Sequence, residues 1–285
     1  MSKGEEKMRV ITEDVIEKRV YEAINEANTK LPEDVVNALK KAYDSEDGIA
    51  KYTLENLLKN IQMAEQTKRP VCQDTGAAVF FVDIGEEVFV EGSIKDAINR
   101  AVSKGYKDFY LRKSMVKSPI ERINTGDNTP AIIHFDFVKG DKITIYFMPK
   151  GFGSENKSAL CMLTPADGTE GIENFVIETV KKAGSDPCPP IVVGVGIGGT
   201  FEKAALLSKR ALLRSIGQRH PKPYIAELEV RLLDKINSLG IGPEGFGGRT
   251  TALDVFVEEC PTHIAGLPVA VNICCHVARH VKIEI

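Results

Sequence analysis

A cysteine stands in an unusually polar setting in the stretch RPVCQDTG, residues 69–76. A structural cysteine behaves as a small apolar side chain and packs among apolar neighbours. Cys72 is instead followed by an amide, a carboxylate and a hydroxyl, those of Gln73, Asp74 and Thr75. Asp-Thr-Gly is also ordinary turn chemistry, so this stretch alone is compatible with a simple loop or with a ligating thiol.

Two further segments present cysteines in settings that suit a ligand. Cys188 in GSDPCPPIVV has one proline before it and two after it, which stiffen the backbone and keep it out of a helix or a central strand. NICCHVARH contains Cys274 and Cys275. If this segment is a strand, the two side chains face opposite sides, and at most one of them points into a given site. Cys161, by contrast, lies among apolar residues.

Three polar-loop thiols without C-x-x-C spacing suit a cubane iron–sulfur cluster, in which each cysteine binds one corner iron. The fourth iron is then open to a substrate, as the fourth position of a catalytic zinc is. Six cysteines in a chain of 285 residues do not make a disulfide scaffold. Cysteines scattered in loops are common, however, so structural cysteines remain the alternative on this evidence.

A glycine pattern offers a different hypothesis. Gly194, Gly196 and Gly199 match G-x-G-x-x-G between a predicted strand and a predicted helix, the setting of a dinucleotide site. The acidic residue that should bind the ribose about twenty residues later is missing, because that region reads RSIGQRHPK. A nucleotide-binding oxidoreductase is therefore the weaker alternative, beside a glycine turn that binds a smaller anion.

The charge and hydropathy of the chain exclude several classes of protein. A net charge of −3 gives no general attraction to nucleic acid or to an anionic membrane. No apolar run reaches the length of a membrane span, and the N-terminus MSKGEEKMRV lacks the apolar core of a secretory signal. We therefore expect a cytoplasmic protein without nucleic-acid or membrane partners, in which residues 1–10 are disordered.

The elements that would position these residues alternate between helical and strand patterns. Apolar residues at helical spacing predict a helical region over the first 66 residues. Strand patterns follow Cys72, and AIIHFDFVKGDKITIYFM predicts a hairpin around Lys139–Gly140–Asp141. We predict an α/β (α+β) fold, in which the helical N-terminal region is followed by a mixed β-sheet flanked by helices.

Four stretches taken together resemble the class I fumarate hydratase and L-tartrate dehydratase family: RPVCQDTG, KGFGSEN, DPCPPIVVGVGIGGT and PTHIAGLPVAVNICCHVARH. The chain is similar to the α subunit, which is equivalent to the N-terminal domain of single-chain members. The resemblance implies one α-subunit domain over residues 1–285. It also implies an oxygen-sensitive [4Fe–4S] hydro-lyase that reversibly hydrates fumarate to L-malate, our preferred prediction, or that dehydrates L(+)-tartrate.

The resemblance further implies which residues hold the cluster. Carried onto this sequence, it makes Cys72, Cys188 and Cys275 the ligands. Cys275 is preferred over Cys274 because of the C-H-x-x-R run that the family carries at this place.

The substrate contacts are likewise implied by the resemblance. Gln73 and Asp74 would line the pocket beside the first ligand, and Arg112 would grip a substrate carboxylate through its planar fork. The Gly153 backbone would hold part of the dicarboxylate, and His263 would face the same site. Asp74 and His263 are the predicted catalytic residues, Asp74 as proton acceptor or relay. Taken singly, Arg112 is equally compatible with a surface charge, and His263 with a turn cap.

The resemblance also implies partners. In the family, the proton-transfer partner and further carboxylate-binding cations lie in the C-terminal or β part of the enzyme. We therefore expect a separate β subunit, in a heterodimer or heterotetramer, as well as pairing of two α chains, and no activity from this chain alone. A non-catalytic iron–sulfur redox or sensor protein is the alternative of another class. Ligation by three cysteines beside a polar pocket argues against it, since electron transfer prefers complete ligation.

Overall fold

The computed structural model describes residues 8–285, which form two compact units. The first unit comprises residues 8–30, Thr67–Lys150 and Arg279–Ile285, and the second comprises Leu31–Gln66 and Gly151–Ala278. The predicted disordered N-terminus falls mostly on residues 1–7, outside the described residues. Arg9 and Val10 lie in a strand, so the prediction is wrong for them. The prediction of one functional domain over residues 1–285 stays a prediction.

Helices and strands alternate along both units, which confirms the α/β class. The helices are α1 (Glu13–Thr29), α2 (Glu33–Ser45), α3 (Gly48–Thr67), α4 (Ile94–Asp108), α5 (Phe152–Glu155), α6 (Gly168–Ala183), α7 (Phe201–Ala211) and α8 (Pro223–Asn237). The strands are β1 (Arg9–Thr12), β2 (Ala77–Gly85), β3 (Val88–Glu91), β4 (Ile132–Val138), β5 (Ile143–Lys150), β6 (Ala159–Leu163), β7 (Ile191–Gly199), β8 (Ala252–Thr262), β9 (Leu267–Cys274) and β10 (Val281–Glu284). No helix within residues 8–285 is long and apolar enough to cross a membrane.

The first unit is built on a mixed sheet with the strand order β10-β5-β2-β4. Strand β2 occupies an interior position because its sequence, AAVFFVDIG, is apolar on both faces and almost wholly buried. Helices α1 and α4 pack on each other, and residues of both share one apolar core with β2 and β5. A separate two-stranded parallel sheet joins β1 to β3.

The predicted hairpin of β4 and β5 is wrong, because β2 lies between them. The turn around Gly140 exists, but it bonds to the end of β2, where the Gly85 amide donates to the Lys142 carbonyl at 2.9 Å. A Cβ atom at Gly85 would lie 2.2 Å from the Gly140 carbonyl oxygen, so only glycine permits this approach. The pairing therefore depends on a close contact between segments distant in sequence.

Strand β4 is consequently an edge strand, and its apolar residues are less buried than the alternation predicts. Ile133 packs against the core. Phe135 and Phe137, which alternate with it along the strand, are 45% and 70% exposed.

The second unit has a mixed sheet of order β6-β9-β7-β8, with helices on both faces of β7. Val193 and Val195 of β7 share a core with residues of α6 and α8, whereas the alternating Gly194 and Gly196 face α7. A Cβ atom at Gly194 would lie 2.0 Å from the Ser208 carbonyl oxygen in α7. These glycines therefore serve close packing of a helix on a strand, and they give no support to a nucleotide site.

Candidate active site

The C-Q-D-T-G loop lies between α3 and β2 and is a tight turn, as its composition predicts. Asp74 closes the turn, because its Oδ1 accepts the Gly76 amide at 3.0 Å. Gly76 has φ +73°, and a Cβ atom there would lie 2.7 Å from the Lys150 backbone, so this position requires glycine. Cys72 remains half-buried and Gln73 exposed, so both side chains are accessible.

Two buried side chains hold the backbone of this loop. The Tyr106 hydroxyl donates to the carbonyl oxygens of Thr75 and Gly76, at 2.9 and 3.2 Å, and Asn128 Nδ2 also donates to Gly76 at 3.2 Å. Burial raises the pKa of Tyr106 above its usual range, so the hydroxyl keeps its proton and remains a donor. The loop is thus fixed from within the first unit.

Thr75 and Asn128 position the backbone of Arg112 and of the residues that follow it. Thr75 Oγ1 accepts the Arg112 amide at 2.9 Å and donates to the Arg112 carbonyl at 3.3 Å. Asn128 Oδ1 accepts the amides of Ser114 and Met115, at 2.7 and 3.2 Å. Arg112 is therefore attached to the C-Q-D-T-G loop by its backbone, and its side chain stays exposed.

A cavity of about 650 Å³ opens in the first unit beside this loop. Apolar surface makes up most of its wall, to which Pro70, Phe109 and Tyr110 contribute, and the remaining lining residues are Lys68, Arg69, Cys72, Gln73, Thr75 and Arg112. No carboxylate is among the described residues that line it, so Asp74, which was expected to line the pocket, is not part of this wall. The volume lies in the range of small-molecule sites, and the combination of a thiol, an amide and three cations suits an anionic ligand.

In the second unit, Cys188 occupies a strained, exposed loop position. Its φ of +54° is in the left-handed region that non-glycine residues rarely adopt, at a cost on the order of 1–3 kcal/mol. Its amide donates to the Ser185 carbonyl at 3.0 Å, which holds the turn. A strained backbone conformation of this kind is retained only where the surrounding structure enforces it. The Cys188 residue is exposed in this conformation.

His276 ties the Cys188 loop to the segment that follows β9. Its amide donates to the Cys188 carbonyl at 3.2 Å, and Nδ1 lies 3.1 Å from that oxygen and 3.1 Å from Glu244 Oε1. Burial, the largest single influence, lowers the pKa of His276, but Glu244 and Cys275 outweigh it and the pKa lies above its usual value. Cys188 and Cys275 are thus in neighbouring segments.

Helix α5, which contains Gly153, is held beside the same loop. Lys157 forms an ion pair with Asp186 at 2.5 Å, and Asn272 of β9 donates to Glu155 at 3.2 Å. Gly153 is exposed, and a Cβ atom there would meet only the Asp186 carbonyl, at 3.8 Å. A larger side chain would therefore fit at this position without a clash. The exposed backbone of Gly153 is the part that a ligand could contact.

His263 is not brought to this place. It lies in the turn before β9, where its Nδ1 accepts the Ala265 amide at 3.2 Å, as a turn cap would. Cys275 follows the other end of the same strand, roughly 26 Å away for eight residues of extended chain. Within one chain, His263 therefore does not lie beside Cys275. The predicted catalytic role of His263 stays a prediction.

The donor chemistry fits an iron–sulfur cluster in part. None of the six cysteines, all of which lie in residues 8–285, is in a disulfide. Across the same residues, no three His, Cys, Asp or Glu side chains are grouped to hold one metal ion. Cluster ligands bind separate corner irons, so they need not converge on a single ion. Cys72 belongs to the first unit, and Cys188 and Cys275 belong to the second.

Several residues of the site were not anticipated. Lys68 and Arg69 line the cavity, and the K-R pair directly before P-V-C-Q-D-T-G was a visible signal for them. Tyr106, Asn128 and Arg279 support the loop from positions 30 to 205 residues away in the chain. Arg279 is the arginine of the C-H-x-x-R run, whereas no local pattern marks Tyr106 and Asn128, whose role depends on tertiary contacts.

Comparison with known proteins shows what this chain is similar to. A family model described as fumarate hydratase (Fumerase) matches residues 17–284. The putative L(+)-tartrate dehydratase subunit alpha of Methanocaldococcus jannaschii is 49% identical over 268 residues, which cover 91% of this chain and 94% of that protein. The L(+)-tartrate dehydratase subunit alpha of Escherichia coli O157:H7 is 37% identical over 257 residues, which cover 88% of this chain and 84% of that protein.

Proposed function

Because the chain belongs to the fumarate hydratase (Fumerase) family, we propose that it is the α subunit of an iron–sulfur hydro-lyase that reversibly hydrates fumarate to L-malate. The observation that carries the proposal is the cavity of the first unit, which places the Cys72 thiol with Gln73 and the three cations. A four-carbon dicarboxylate carries two negative charges, which these donors can bind. A pure electron-transfer protein has no need of such a cavity.

The proposed cofactor is a [4Fe–4S] cluster with Cys72, Cys188 and Cys275 as ligands. When bound, it supplies a Lewis-acidic iron that assists loss or gain of the substrate hydroxyl. The strained and exposed backbone of Cys188 supports its assignment. Cys274 is 6% exposed within β9, whereas Cys275 is half-buried just beyond the strand, which favours Cys275.

The polypeptide would bind and orient the substrate and move its proton. Arg112 can donate two parallel hydrogen bonds to one carboxylate, and its backbone is fixed by Thr75. Gln73 can donate an amide N–H to the same substrate from the neighbouring wall of the cavity. Asp74, whose Oδ1 is oriented by the Gly76 amide, is the proposed proton acceptor or relay.

A second candidate is the dehydration of L(+)-tartrate. The specific observation in its favour is the name of the relatives, which at 49% and 37% identity are called L(+)-tartrate dehydratase subunit alpha. Tartrate carries one more hydroxyl than malate, and the cations of the cavity would attract the carboxylates of either compound. Rates of the assembled enzyme with fumarate and with L(+)-tartrate separate the candidates.

The proposal includes a separate β subunit. The relatives are named as alpha subunits, which supports a partner chain. We propose that this partner supplies further proton-transfer and carboxylate-binding groups, that two α chains also pair, and that the enzyme is cytoplasmic.

Serine variants test the cofactor assignment. Cys72→Ser, Cys188→Ser and Cys275→Ser each remove one proposed thiolate, so anaerobic reconstitution should give chains that lack most of the cluster absorbance and iron. Cys161→Ser is the matched control, because Cys161 lies in β6 and is outside the proposed ligand set. It should retain the full iron and sulfide content. Full cluster content in Cys188→Ser would contradict the ligand assignment.

A further inference from the structure

Arg279 is a buried cation whose hydrogen bonds are incomplete. The residue is 3% exposed. Nη2 donates to the Asp74 carbonyl at 2.7 Å, in the C-Q-D-T-G loop. Nε and Nη1 are buried and have no hydrogen-bond partner among residues 8–285. Arg279 therefore has two buried donors without an acceptor. It is bonded to Asp74, which lies two positions after Cys72 in the loop.

The charge of Arg279 cannot be relieved by loss of a proton. A guanidinium stays protonated at all ordinary pH values, unlike a buried lysine. A buried charge without a partner costs several kcal/mol in a folded protein. A protein can tolerate this cost when a bound ligand neutralises the charge.

No acceptor of the loop hydrogen-bonds to Nε or Nη1 in the structure. The carbonyls of Thr75 and Gly76 already accept from Tyr106, and Gly76 also accepts from Asn128. Burial raises the pKa of Tyr106, and the nearby charge of Arg279 opposes that effect, so Tyr106 remains protonated and offers no negative charge. Residues 8–285 therefore provide no hydrogen-bond acceptor for Nε and Nη1.

We infer that Nε and Nη1 of Arg279 form an anion-binding site at the C-Q-D-T-G loop. The ligand is an anionic hydrogen-bond acceptor, for which the proposed function offers two sources: a sulfur of the cluster or a carboxylate of the substrate. For the first source the inference rests on the proposed function. Arg279 is then a positioning residue that couples the loop carrying Cys72 and Asp74 to the charge of the ligand.

The experiment compares Arg279→Met and Arg279→Lys in the full chain with Arg100→Met as the matched control. Arg100 lies in the same unit, but it is exposed and paired with Glu13 and Glu17. Circular dichroism establishes that each variant folds. Arg279→Lys keeps the charge but loses the planar fork of donors. If Arg279→Met does not fold, both measurements are made on Arg279→Lys, in which we expect smaller changes.

The first arm measures the reduction potential and the electron paramagnetic resonance spectrum of the anaerobically loaded chain without substrate. Donors and a positive charge next to a cluster stabilise its reduced, more negative state. If the acceptor is a cluster sulfur, the potential of Arg279→Met shifts to a more negative value and the spectrum changes. The potential of Arg279→Lys lies between those of Arg279→Met and wild type, and Arg100→Met matches wild type.

The second arm measures the thermal midpoint of the metal-free chain with and without L-malate. If the acceptor is a carboxylate, L-malate raises the midpoint of wild type and of Arg100→Met, and this rise is lost in Arg279→Met. A change in either arm supports the site and identifies its ligand. Variants that match wild type in both arms overturn the inference. Wild type that takes up no iron contradicts the proposed function, and the second arm still decides the inference.

Discussion

The hydroxyl of Tyr106 lies within hydrogen-bonding distance of two carbonyl oxygens in the C-Q-D-T-G loop, and it is wholly buried. A buried carbonyl that loses its donor costs about 1–3 kcal/mol, more than a hydrogen bond contributes when it is exchanged with water. The geometry of Cys72, Gln73 and Asp74 thus depends on a residue that touches none of their side chains in the described contacts.

Tyr106→Phe removes only this hydroxyl. We expect the free energy of unfolding to fall by about 1–3 kcal/mol, because the Thr75 carbonyl loses its donor and Gly76 keeps only Asn128. Urea denaturation followed by circular dichroism measures this change. Tyr21→Phe is the control, since the Tyr21 hydroxyl bonds to Asp108 at the surface, and it should change stability by less than about 0.5 kcal/mol. Equal effects of the two substitutions would show that the loop does not depend on Tyr106.

At the scale of elements, the packing of β7 on α7 determines the role of the G-x-G-x-x-G pattern. Gly196 faces α7 as Gly194 does, and a Cβ atom there would lie 2.1 Å from the Ala204 carbonyl oxygen. In a dinucleotide site, glycines let the backbone approach a pyrophosphate. Here glycines let a strand approach a helix backbone, so the same sequence pattern has a packing role.

Gly194→Ala tests that role. A methyl group 2.0 Å from the Ser208 carbonyl must displace α7, so we expect a loss of about 1–3 kcal/mol or more in unfolding free energy. The matched control is Gly153→Ala, where the added methyl has room; its stability should stay close to wild type. Unchanged stability of Gly194→Ala would refute the packing role. Binding of NAD or ATP to wild type at millimolar concentration would restore the nucleotide hypothesis.

At the scale of the whole molecule, our proposal divides the catalytic groups between this chain and a β subunit. The described residues supply three proposed thiolates, the cations of one cavity and the Asp74 carboxylate. His263 is separated from Cys275 by the length of β9, and its predicted role in proton transfer stays a prediction. The proposed β subunit would provide the missing groups.

Turnover of the cluster-loaded chain tests this division. We expect no hydration of fumarate above background for the α chain alone, and turnover when the β chain is added, because an unpaired substrate carboxylate is costly by several kcal/mol. The absorbance of fumarate follows the reaction under anaerobic conditions. Cluster-loaded Cys161→Ser with β serves as the positive control. High turnover without β would mean that the catalytic set is complete within these 285 residues.

Much of this protein could be predicted from its sequence. The stripe of Ile16, Val20 and Ile24 is buried along α1, and the polar setting of Cys72 does mark a cavity wall. The four quoted stretches identified the family that the comparisons confirm. These features are determined locally, since the period of a helix, the composition of a turn and a short motif each depend on residues that are close in the chain.

Only the tertiary structure decided how these segments meet. It placed β2 between β4 and β5, where a hairpin was expected, because an apolar strand takes the interior position. It separated His263 from Cys275, although they are only twelve positions apart in the sequence, because β9 is extended between them. It buried Arg279 against Asp74, 205 residues away, with two donors left over. Pairing and burial arise from contacts between distant segments, and no local pattern in the sequence encodes them.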